Sequence, residues 1–133
     1  MKKSILLTAL LVALAVTAAG CGSKKESEES ATPTEAIAEI ETIRTMLGDA
    51  VAKYRSGDAE QAEKTVGDAY LEHFEHVEDP LGDRNHELME ELEERISTEI
   101  RDEMKDGAPV TKIESLVRET NRELDEAVTE LKK

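Results

Sequence analysis

Three clusters of helix breakers divide the chain from Thr34 onward into four stretches, each with apolar residues three or four apart. That spacing lines one face of an α-helix, and none of the four alternates as a strand does. The first stretch carries Ile37, Ile40, Ile43, Leu47, Val51 and Tyr54, and stops at Ser56-Gly57. The second carries Ala59, Ala62, Val66, Ala69-Tyr70, Phe74 and Val77. Asp79-Pro80-Leu81-Gly82-Asp83 is expected to break it. The third runs from about Asn85 to Asp106, with Leu88, Leu92, Ile96, Ile100 and Met104, and ends at Gly107-Ala108-Pro109. The fourth starts at Val110 and carries Ile113, Leu116-Val117, Thr120, Leu124, Ala127-Val128 and Leu131.

Each stripe covers one side only, and the other sides are dense in Glu, Asp, Lys and Arg. Such helices bury their stripes against one another. Short connections favour antiparallel neighbours, so the expected fold is all-α, an antiparallel up-and-down four-helix bundle over 34–133. The alternative, a long coiled-coil dimer, is disfavoured by the three breaker clusters. Thr34 is expected to cap the first helix and Asp58 the second.

The segment before the bundle has a different composition. Lys2 and Lys3 precede an apolar run from Ile5 to Val16, then Ala18-Ala19-Gly20 and Cys21. This is the layout of a secretory signal, and the apolar run is short for a membrane span. Small residues followed directly by one cysteine resemble a lipoprotein signal, with residues 1–20 removed and Cys21 acylated. The alternative is cleavage after Ala19, leaving a free thiol. Residues 21–33 are polar and charged, without apolar periodicity, and read as a flexible tether. The expected location is the extracytoplasmic face of the cell membrane, through the lipid anchor.

The formal charge of -14 sets a chain of 31 acids against 17 Lys and Arg. It repels nucleic acid and draws cations. It also serves solubility at high salt. Enzyme signatures are missing: there is no Gly-rich phosphate loop, no Glu-x-x-His pair and no second histidine after His86-Glu87 for a zinc protease. No enzyme is expected.

The segment Ala69–Leu81, AYLEHFEHVEDPL, holds two of the three histidines, His73 and His76, and three glutamates three apart, Glu72, Glu75 and Glu78. On a helical wheel His73 and Glu78 flank the buried direction on opposite sides. Glu75, Glu72 and His76 fall on the outer side. Imidazole and carboxylate suit iron, zinc, copper or manganese. A tight site would need further ligands from the third helix, where His86, Glu87, Glu90 and Glu94 are candidates. The other reading makes His73 a half-buried helix residue and the glutamates a solvated face.

The order of features from about Ala52 resembles the extracytoplasmic helical domain of prokaryotic iron permeases, of the oxidase-dependent iron transporter family. The residues that carry it are Tyr54, Gly57-Asp58, Ala69-Tyr70, Phe74-Glu75-His76-Val77-Glu78 and Gly107-Ala108-Pro109. The resemblance implies a stand-alone, membrane-tethered version of that domain, presenting or sensing iron or another transition metal near a permease. It singles out Glu75 and Glu78; Glu72, His73 and His76 are added by local spacing. Transport itself is not implied, because Arg122-Glu123-Leu124-Asp125-Glu126 matches the permease's Arg-Glu-x-x-Glu only in letters and lies on a polar helix. A structural or interaction lipoprotein of the envelope with no metal role is the alternative.

Overall fold

The computed structural model describes residues 30–133. The signal segment, Cys21 and the tether up to residue 29 lie outside the described residues. Four helical rods follow one another. The first is Pro33–Arg55. The second spans 59–82, as Ala59–Ala69, a π turn Tyr70–Phe74, and Glu75–Gly82. The third spans 86–105, as His86–Glu94, a π turn Arg95–Glu99, and Ile100–Lys105. The fourth is Val110–Leu131. The first rod packs against the second and fourth, and the third also packs against the second and fourth. This is the expected up-and-down bundle.

The ends are set by local chemistry. Thr32, rather than Thr34, caps the first helix. Its hydroxyl accepts from the Glu35 amide at 3.3 Å, and the Glu35 carboxylate accepts from the Thr32 amide at 2.8 Å. Glu35 stands three residues after Thr32, which completes a reciprocal box. Pro33 fits the first helical position because the amide it lacks has no partner there. At the other end Gly57 has φ +91°, the left-handed conformation that closes a helix. The Gly57 amide reaches Tyr54 O and the Asp58 amide reaches Lys53 O, both at 3.0 Å. Gly107, at φ +71°, closes the third rod in the same way. The Tyr54 hydroxyl donates to Ala108 O at 2.7 Å and pins these two turns together.

The second rod does not break at Asp79-Pro80; it continues to Gly82. Pro80 removes only its own bond to the His76 carbonyl, and it lies in the last turn. His76 is exposed, while Pro80 itself is buried. The stop comes at Asn85, whose side chain accepts from the Leu88 amide at 3.1 Å and opens the third rod.

The core forms where the four stripes meet. Ile40, Ile43 and Leu47 face Val66, Phe74 and Leu81, with Leu92, Ile96 and Ile100 and then Ile113 and Leu124 closing the interior, all fully buried. The first stripe is rotated slightly from its expected setting. Ala36 and Ala50 are buried, while Ile37 and Val51 are only partly so. The small alanines let the first helix approach its neighbours closely, and the larger residues fill the seams.

The two π turns match an irregularity in the stripes. In the second rod the buried series runs Ala62, Val66, Ala69, then Phe74, Val77 and Leu81, with a step of five at the π turn. In the third it runs Leu88, Leu92, Ile96, Ile100 and Met104, every step being four. At 3.6 residues per turn, each step of four overshoots by about 40°, or roughly 160° over four steps. A straight α-helix would carry Met104 toward the opposite side from Leu88. A wider turn absorbs part of that drift. Accordingly the Glu75 amide reaches back to Tyr70 O, and Ile100 to Arg95 O, five residues each.

Candidate functional site on the second helix

The five sequence candidates point in three directions. Phe74 fills the core, and Tyr70 leans against it with ring centroids 6.1 Å apart. These two fix the rotation of the π turn. His73 is then directed at the first helix, where Nδ1 donates to Glu39 Oε2 at 2.6 Å. Glu78 is directed at the third helix, half-buried. Glu72, Glu75 and His76 are exposed on the outer side. The wheel reading of this segment therefore holds residue by residue. Among the described residues, no group of three or more His, Cys, Asp or Glu side chains is arranged to hold a metal ion. The proposed partners on the third helix do not come in either. Glu87, Glu90 and Glu94 are exposed, and His86 pairs with Glu90 at 3.3 Å on the surface.

The third-helix acid that does reach the second helix is Glu93. The Tyr70 hydroxyl donates to Glu93 Oε1 at 3.3 Å. Glu78 Oε1 is buried with no hydrogen-bond partner. Burial, followed by the charges of Glu93 and Glu75, pushes the Glu78 carboxyl above the usual carboxylate range. Burial, followed by the charges of Glu78 and Glu93, pushes the Tyr70 phenol up to about 12. Two open clefts flank this ridge. One, of about 540 Å³, lies between Glu75, Glu78 and Pro80 and the chain entering at Ser30-Ala31. The other, of about 320 Å³, lies between Glu78 and Asp79 on one side and His86, Met89 and Glu93 on the other.

A second polar cluster centres on Arg95, the first residue of the other π turn. Its guanidinium meets Glu99 and Glu123 at 3.0 Å and Glu119 at 3.3 Å. Glu123 is half-buried, and its carboxyl is pushed up by burial while Arg95 holds it down. Asp125 pairs with Arg44 at 2.6 Å. Glu123, half-buried against Arg95, and Asp125, exposed beside Arg44, thus tie the fourth helix to its neighbours.

Sequence reasoning missed Glu39, Glu93 and the Tyr70 hydroxyl as partners. The available signal was the step of five between Ala69 and Phe74, which marks the π turn that re-aims Tyr70. No family model, curated protein or solved structure matches the chain. None of these comparisons identifies an iron-permease-related domain. No helix among the described residues is long and apolar enough to cross a membrane.

Proposed function

We propose that the chain is a non-catalytic accessory module of the cell envelope, held at the outer face of the membrane by lipid on Cys21. Its acidic second-helix ridge binds a partner, and the resemblance makes that partner an iron permease. The observation that carries the reading is the divergence of Glu72, His73, Glu75, His76 and Glu78 into three directions, with no ligand group among the described residues. Side chains so placed collect cations loosely and offer a charged docking face; they do not chelate.

Three measurements on one preparation test it. Cys21→Ser should move the protein from the membrane fraction to the soluble fraction. Iron(II) should leave the melting temperature almost unchanged, whereas a chelated ion at 100 times its Kd would add about 2.7 kcal/mol. A photo-crosslinker at position 75 should yield an adduct with the permease in intact membranes. A saturable iron-dependent rise that Glu75→Ala with Glu78→Ala abolishes would replace the docking reading by metal carriage. No adduct, with membrane attachment intact, would leave a structural lipoprotein.

A further inference from the structure

One cleft beside the ridge holds a pair of donors that the proposed function does not use. It lies between the second and third rods, with His86 and Met89 on one side and Glu78 and Asp79 on the other. Gly82, the last helical residue of the second rod, also lines it. A Cβ at Gly82 would stand 3.7 Å from Met89 Cε and 3.9 Å from His86 Nδ1. The thioether end and the imidazole nitrogen thus border one small space that no side chain of Gly82 fills. His86 and Met89 are three residues apart on one helix, which sets them on the same side. The other ring nitrogen, Nε2, stands 3.3 Å from Glu90 Oε1. A carboxylate there favours the proton on Nε2 and leaves the Nδ1 lone pair to the cleft. His86 opens the third rod, where the positive end of the helix opposes a cation. The carboxylates of Glu78, Asp79, Asp83 and Glu93 line the same cleft and offset that effect.

We infer that His86 Nδ1 and Met89 Sδ form a binding site for a soft monovalent metal ion, copper(I). A thioether selects copper(I) over hard ions, and imidazole serves the same ion. Three rotatable bonds let the sulfur turn to meet an ion held on Nδ1. Binding is simple association. Both donors are neutral, no proton is released, and the surrounding acids meet the charge of the ion. Iron(II) and zinc(II) favour nitrogen and oxygen donors, and to them the pair offers one imidazole. The site differs in kind from the ridge candidates. Its second donor is a methionine, and its two donors converge where those of the ridge diverge. It requires nothing bound to the ridge, so it is independent of whether that face docks a permease.

The full-length Cys21→Ser chain in neutral detergent tests the site, with no thiol to compete for a soft ion. Copper(I), added without oxygen as its acetonitrile complex, should shift the Met89 methyl and His86 ring signals together in carbon–proton NMR spectra. The shifts should saturate at one equivalent. Silver(I) nitrate, a soft ion that needs no protection from oxygen, should do the same. Met89→Leu removes the sulfur at nearly constant volume. It and His86→Gln should each weaken binding at least tenfold, while Met46→Leu, on the first helix, should leave it unchanged. His86 is exposed and Met89 only partly buried, so both variants should keep the helical circular dichroism. No binding, a Met89 methyl that stays in place as His86 shifts, or equal affinity in Met89→Leu would overturn the site. If a variant does not fold, the paired shifts in the parent chain decide.

Discussion

At the scale of single residues, the same substitution has opposite signs at two glycines. Gly57 sits at φ +91° and closes the first helix, whereas Gly48 is an exposed position inside that helix with open space where a Cβ would go. A side chain at Gly57 is forced into the left-handed region, at about 1–2 kcal/mol. At Gly48 an alanine only reduces the freedom of the unfolded chain, for a gain of about 0.4–1 kcal/mol. Thermal melts should therefore show Gly57→Ala falling and Gly48→Ala rising. For a domain of this size the shift is roughly 4–8 °C per kcal/mol. The turn residues were the most legible part of the sequence, because Gly57, Asp58 and Asn85 act through their own backbone or their nearest amides. The side-chain partners were not. His73 with Glu39 and Tyr70 with Glu93 are tertiary pairs, and among 31 acids nothing local marks which ones turn inward.

At the scale of elements, the two π turns are what the apolar spacing requires. Ala69 and Phe74 are both fully buried five residues apart, a step that an α-helix cannot keep on one face. Removing one residue from that turn restores a step of four. Deleting Leu71, exposed in the π turn, should leave a cooperative helical melt by circular dichroism. Deleting Lys64, in the α segment before it, should abolish cooperativity, because every later buried position in that rod rotates by about 100°. Loss of cooperativity in both deletions would show that the turn is not a spare residue. The sequence stripes revealed four helices and their faces. They hid the π turns because steps of four resemble ordinary helical spacing until they are summed.

At the scale of the whole molecule, the charge decides what the surroundings do. Net repulsion at -14 opposes the compact state. Pairs such as Arg101 with Glu63 at 2.6 Å and Arg95 with its three acids offset it locally. Screening weakens both effects, but the chain's 31 acids far exceed its 17 Lys and Arg. Raising sodium chloride from 0.05 to about 0.5 M shortens the Debye length from more than 10 Å to a few ångströms. It should raise the melting temperature; a fall would mean that the ion pairs outweigh the repulsion.

An even number of rods returns the chain to the pole from which it set out. Thr32, the Asp83–Asn85 turn and Lys132-Lys133 therefore share one end, and the two glycine-closed turns share the other. If Cys21 is fastened to lipid, the eleven residues to Thr32 reach at most roughly 35–40 Å. The end bearing the terminal lysines would then hang nearest the bilayer. That tether reach equals the roughly 35 Å length of the 23-residue first helix, so the ridge stays within reach of a neighbour embedded in the same membrane.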